Sequence, residues 1–279
     1  MADKFMKSII FIEGEDRYYP LPKVTSADNG KVLKVMNGDW DLAGIVPPLD
    51  YLSFIGNEPF TLKTYNTKKN WDGTLEYSTD ASNWRIWDGT EISSPNNSLY
   101  LRGSENTKIT KGSSSERFVF TGTNSLKISC TGNIENLLDC EIVNLGEHPT
   151  MNKGCFAYLF SGCTSLTTAP TLPASTIAPG CYKDMFNGCT SLETLPELPA
   201  TTLKTYCYAN MFEGCTRIRM SKTKTGEYIT PYRVPKSGTG TSAYIALDKM
   251  FMNTGGSFAS GSNGTPTINT TYYTSNALV

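Results

Sequence analysis

The chain has 279 residues, of which 39% are hydrophobic and 18% charged, with a net charge of −1. That length predicts two domains with room for a small terminal module, and the near-zero charge provides no general attraction to nucleic acid or anionic lipid. No run approaches the roughly 18 apolar residues of a membrane span, and abundant Gly, Ser, Thr and Asn without long helix-forming runs predict strands and turns.

The apolar run at residues 8–12 is too short for the core of a signal peptide, and the opening Met-Ala-Asp-Lys is expected to be a cytosolic start without a leader. Residues 21–40 read LPKVTSADNGKVLKVMNGDW. Asp28-Asn29-Gly30 predicts a turn, residues 32–36 a strand and Asn37-Gly38 a two-residue hairpin turn, with Trp40 opening the return strand. Such a ribbon has too few apolar residues to fold alone, so it must pack on a neighbour or on copies of itself. Lys4 to Tyr19 is a candidate attachment strand, because Ile9, Ile10, Phe11 and Ile12 are apolar enough to add to another sheet, and Pro47-Pro48 is a stiff joint. This pattern resembles the module of phage head-fibre and tail-fibre proteins over about 20–30 residues. The resemblance implies a virion-proximal attachment end and a trimeric fibre. The expected partners are other virion proteins, of capsid or tail, and the expected assembly is a homotrimer.

Residues 56–124 alternate in short stretches, at 60–64, 74–78, 84–87, 99–102 and 117–120, separated by turn residues such as Asp72-Gly73, Asp88-Gly89 and Pro95-Asn96-Asn97. This spacing predicts a β-sandwich. Trp71, Trp84 and Trp87 cluster here. Trp71 and Trp87 are candidate ligand-binding residues, because aromatic faces suit pyranose rings. The competing and favoured reading is core packing, with the two Trp-Asp-Gly sequences forming a repeated structural corner.

Residues 151–228 hold three copies of a 26-residue repeat that align without gaps: MNKGCFAYLFSGCTSLTTAPTLPAST, IAPGCYKDMFNGCTSLETLPELPATT and LKTYCYANMFEGCTRIRMSKTKTGEY. Cys155, Cys181 and Cys207 coincide, as do Phe160, Phe186 and Phe212. A fixed period of this length predicts a leucine-rich solenoid, whose coils bury together what none can bury alone. Cys181, Met185, Phe186 and Cys189 have the spacing of a short helix. Gly188 is expected at positive φ, residues 191–195 as a short strand, and Pro196 and Pro199 as its stop. Residues 125–140 are expected to begin the stack through Leu126, Ile128, Ile134, Leu137 and Leu138. Met250-Phe251 repeats the pattern after an insert at about 229–242 that reads as a loop, so residues 246–254 form a degraded last coil. The Phe-x-Gly-Cys-Thr-Ser-Leu core with prolines behind it resembles the BspA-type leucine-rich repeat. That resemblance covers about a third of the chain and implies a right-handed solenoid used for adhesion rather than catalysis.

Thr167, Glu193 and Arg219 share one repeat position beside the buried Leu ladder and are expected to point outward. They are candidate binding positions, with a plain solvated face as the competing reading. Six of the eight cysteines lie on the repeat. Zinc sites use closer cysteine pairs, so no metal and no cofactor is expected, and buried free thiols are preferred to disulfides within the repeat. The single histidine, His148, sits at a repeat boundary, and no Walker loop, G-x-G-x-x-G or G-x-S-x-G occurs. No enzyme activity is expected.

Together these features predict a mainly β protein with short helices. An N-terminal β-hairpin module (1–50) leads to a β-sandwich (51–124), a short leucine-rich-repeat solenoid (125–260) and a C-terminal tail (261–279). The expected function is that of a phage virion structural protein, a head fibre or similar surface appendage, made in the host cytoplasm and carried on the virion surface. Its distal repeat would adhere to a host cell-surface glycan or protein, with no nucleic-acid partner and no membrane insertion. The alternatives are a purely structural decoration or tail protein that contacts other virion proteins, and a bacterial BspA-like surface adhesin.

Overall fold

The computed structural model describes residues 31–36, 39–44 and 51–275. The chain divides into two compact units, Met1–Leu49 and Asp50–Val279. In the first, β1 (Lys31–Met36) and β2 (Asp39–Gly44) pair antiparallel from Lys31↔Gly44 to Met36↔Asp39, as the alternation predicts. The turns expected at 28–30 and 37–38, the segment at 4–19 and the Pro47-Pro48 joint lie outside the described residues.

The second unit is mainly β, with several open sheets and one short α-helix among the described residues. Its strands begin with β3 (Leu52–Gly56), β4 (Phe60–Thr64), β5 (Thr74–Ser78), β6 (Arg85–Ile86), β7 (Ile92–Ser94), β8 (Ser98–Ser104), β9 (Phe118–Thr121), β10 (Ile128–Thr131) and β11 (Leu166–Thr168). These form a six-stranded sheet, β11-β10-β3-β8-β5-β6, and a three-stranded sheet, β7-β4-β9. Period-two burial puts Leu52, Phe54, Leu62, Leu75, Leu99 and Leu101 inside. The sheets meet through Phe54, whose ring lies 6.5 Å from Phe118 and 5.1 Å from Phe120. The Trp-Asp-Gly sequences are corners. The Asp72 carboxylate accepts the Thr107 and Lys108 N–H groups, the Asp88 carboxylate accepts the Thr90 N–H, and the Trp71 and Trp87 rings pack 5.1 Å apart.

No structural break falls at residue 124. The six-stranded sheet includes β10 and β11, from the segment expected to be solenoid, and one apolar core runs from Leu52 to Tyr272. Leu126, Ile128, Ile134, Leu137 and Leu138 are all buried. The helix α1 (Asn136–Asn144) is interrupted at Asp139, whose backbone is extended and whose carboxylate accepts the Glu141 and Ile142 N–H groups to start the second turn.

The repeat is not built on short helices. Along residues 154–162 the backbone N–H groups alternate between two destinations. Those of Gly154, Phe156, Tyr158, Phe160 and Gly162 donate to Pro179, Cys181, Lys183, Met185 and Asn187 of the next copy. Those of Cys155, Ala157, Leu159, Ser161 and Cys163 donate three residues back, to Asn152, Gly154, Phe156, Tyr158 and Phe160. The second copy does the same with the third, and the third with residues 246–252. Each coil is thus a ribbon of linked turns whose groups are satisfied half within the coil and half across to its neighbour. Every fourth residue takes positive φ: Gly154, Tyr158 and Gly162, then Gly180, Asp184 and Gly188, then Tyr206, Asn210 and Gly214. Gly188 has φ 72°, as the sequence predicts for it, although it follows a turn ribbon rather than a helix.

This register stacks like on like. The Phe160, Phe186, Phe212 and Phe251 rings form a nearly parallel column with centroids 5.6, 5.6 and 5.5 Å apart. A second column runs Phe156, Tyr182, Tyr208 at 5.8 and 5.9 Å. Residues 191–195, expected as a strand, make one ladder bond, Glu193 N–H to the Thr167 carbonyl, before Pro196 ends the extended path. The degraded last coil is present, because Phe212 N–H bonds the Met250 carbonyl.

Both ends of the stack are covered. At the first coil, the Ile109 and Thr110 N–H groups reach the Cys155 carbonyl and Phe118 N–H the Leu159 carbonyl. At the junction of the second and third copies, β12 (Thr202–Leu203) pairs parallel with β15 (Thr241–Ser242) of the insert. A four-stranded sheet is ordered β14 (Tyr228–Arg233), β17 (Thr271–Ser275), β13 (Arg219–Ser221), β16 (Gly255–Gly256). The insert at 229–242 is therefore partly strand rather than loop, and Pro231 is accommodated because β14 is an edge strand. Likewise, the C-terminal tail contains a strand. Tyr272 is buried against Phe258 at 5.3 Å, and the Gly264 carbonyl accepts the Phe251 N–H of the last coil.

Candidate ligand-binding surfaces

Trp71 and Trp87 do not offer faces to a ligand. They are 4% and 1% exposed, and the Trp87 indole N–H donates to the Thr90 carbonyl at 2.7 Å. The corner that each begins turns its ring inward onto the other. Trp84, which immediately precedes β6, is half-buried. The Arg102 guanidinium sits 4.2 Å from its ring centre and is held by Glu76 at 2.7 Å, while the Tyr51 ring stands edge-on at 4.6 Å. With Tyr77, Asn83, Arg85 and Glu91, Trp84 lines a polar cleft of about 690 Å³.

Thr167, Glu193 and Arg219 are half-exposed, and each has a partner. The Thr167 hydroxyl donates to the Ile128 carbonyl at 3.0 Å, Glu193 is paired with Arg217, and Arg219 lies 3.2 Å from Glu227. The backbone bond from Glu193 to Thr167 brings these two together. None of the three lines the groove described next.

That groove, of about 640 Å³, crosses the turn side of the stack. Its floor includes Gly112, Gly154 and Gly180, its cations are Lys111, Lys153 and Lys183, and Tyr206 stands at one end. Lys111 lies upstream of the repeat, and Lys153 and Lys183 fall at different positions of the first and second copies, so no motif in the sequence announces them. Lys183 is held by the Tyr158 hydroxyl at 2.9 Å and by Asp184 at 3.4 Å.

All eight cysteines are buried free thiols. The Cys163, Cys189 and Cys215 thiols donate to the carbonyls of Phe118, Phe160 and Phe186. Burial pushes Cys163, Cys207 and Cys215 up to about 12, so they stay protonated and unreactive. Among the described residues no group of three His, Cys, Asp or Glu side chains is placed to hold a metal, and no helix is long and apolar enough to cross a membrane. His148 Nδ1 lies 2.7 Å from Oε2 of Glu135, a fully buried carboxylate whose pKa is raised by burial.

No protein-family model, no curated protein and no solved structure matches the chain.

Proposed function

We propose that this chain is a phage virion structural protein, a head fibre or similar surface appendage, and that its stacked repeat is a short BspA-type leucine-rich-repeat solenoid serving host-surface adhesion. The observation that carries the reading is the coil-on-coil register of the repeat. Its recurring Phe and Cys positions are consumed by packing, and its ends are covered. Repeats stacked this way supply extended binding surfaces. The hairpin β1–β2 belongs to a unit of its own, which suits a separate attachment role toward capsid or tail proteins. In this reading the protein is a homotrimer on the virion surface, is not an enzyme, and uses neither nucleic acid nor membrane insertion.

Light scattering on the eluting full-length chain tests the assembly. A mass near three times 30.6 kDa is expected. A clean monomer across the accessible concentration range, together with the protein's absence from mass spectra of purified particles, would overturn the reading.

A further inference from the structure

The groove across the turn side exists because of a substitution pattern within the repeat. Gly154, Gly180 and Tyr206 occupy one position in successive coils, at φ 69°, 63° and 60°, and Ile245 follows at 50°. The position therefore accepts large side chains, and two coils leave it bare. A Cβ built on Gly180 would meet nothing within 4 Å. The cleared space is lined by Lys111, Lys153 and Lys183 and by no acidic side chain, with Asp184 behind it 3.4 Å from the Lys183 ammonium. Lys111 and Lys153 are exposed and form no ion pair among the described residues, whereas Lys183 is held in place by Tyr158 and Asp184. Tyr206, 45% exposed, closes the end with an aromatic ring. In a chain of net charge −1 this is a local concentration of positive charge, not a property of the whole surface.

We propose that this groove binds an acidic polysaccharide, with carboxylate, sulfate or phosphate groups seated among Lys111, Lys153 and Lys183 and a sugar ring set against Tyr206. Lysine ammonium groups are point charges that take any anion without the planar match that arginine requires. They therefore suit anions spaced along a flexible chain. Three cations and one ring are too few for a nucleic-acid track, which needs a longer basic stripe and several stacking rings. The proposal deepens the adhesion reading and rests on it for the source of the ligand, a host cell envelope.

The test titrates the full-length chain with a sulfated polysaccharide, a carboxylated one, neutral dextran of matched length, inorganic sulfate and a DNA duplex. Binding to the acidic polysaccharides is expected to weaken with added salt. Lys111→Ala and Lys153→Ala are each expected to weaken it about fivefold, with Lys69→Ala, an exposed lysine outside the groove, as the unchanged control. Gly180→Tyr places in the second coil the residue that the third carries at position 206. It keeps every charge and should abolish binding by filling the groove. Loss in all three variants, with far-ultraviolet circular dichroism unchanged, supports the assignment. It is overturned if dextran binds equally, if inorganic sulfate binds as tightly as the polymers, if DNA competes on equal terms, or if Gly180→Tyr binds like the parent. If an acidic polysaccharide binds in the groove but the protein is missing from virions, the virion reading fails and the groove assignment stands.

Discussion

The Cys189 thiol donates to the Phe160 carbonyl, 3.1 Å away and 29 residues earlier in the chain. Cys215 repeats the relationship with Phe186 at the same distance and separation. Cysteine suits this position because it is small and apolar yet carries one weak donor for a carbonyl turned into the stack.

Replacing Cys189 by Ala removes that donor and a little volume, so a loss of about 1–2 kcal/mol is expected in urea unfolding. The same burial shields the thiols chemically. An uncharged maleimide should label none of the eight cysteines in the folded chain and all of them in urea. Labelling of Cys163, Cys189 or Cys215 in the native protein at the rate of an exposed thiol would contradict the structure.

Phe186 lies between Phe160 and Phe212 in the central column, fully buried. Phe186→Ala is expected to cost about 3–5 kcal/mol, because neighbouring coils held by backbone bonds cannot close the cavity. Tyr182 should behave oppositely. Its hydroxyl is buried without a hydrogen-bond partner among the described residues, and the equivalent position one coil earlier is Phe156. Tyr182→Phe should therefore raise the unfolding midpoint, and a clear loss of stability would show that the hydroxyl is satisfied after all.

Glu135 gives the stack a pH dependence. Burial raises its pKa above the usual 4.5, against the lowering effect of His148. A raised folded pKa means the native state holds its proton more tightly than the unfolded chain. The stability that this contributes is complete below about 4.5 and is lost as pH rises through the folded value. Glu135→Gln should flatten that decline and leave the protein more stable than the parent at neutral pH. Equal slopes in parent and variant from pH 4 to 7 would rule this out.

The C-terminal strand closes the stack. Ending the chain at Ser257 removes Phe258, the Gly264 carbonyl that accepts from Phe251, and β17. The last coil would then expose its ring and its unpaired N–H groups. Concentration-dependent association by light scattering is expected, and a stable, monodisperse product of the parent's assembly state would show that the cap is dispensable.

Several features were legible because they depend on local spacing. The register of the three copies, the positive φ at Gly188, the short strands at 60–64, 74–78 and 99–102 and the extra coil at Met250-Phe251 all follow from residue order. The helix expected from Cys181, Met185 and Phe186 did not form, because a four-residue turn period places side chains much as a 3.6-residue helix does. The choice between them lies with the alternate N–H groups, which reach the next coil instead of the same one. Trp71, Trp84 and Trp87 are equivalent as letters. The corners at Asp72 and Asp88 fold two of them inward and leave the third beside Arg102.

Residue order alone establishes that this chain repeats, where each copy begins, and which side chains stack, since a fixed period brings identical residues into contact in any stacked arrangement. How the backbone of each coil is satisfied, that the sheets and the repeat share one core, and that Lys111, Lys153 and Lys183 line a common groove emerge in the folded chain. Those outcomes depend on hydrogen bonds and proximities between residues tens of positions apart, which no local pattern encodes.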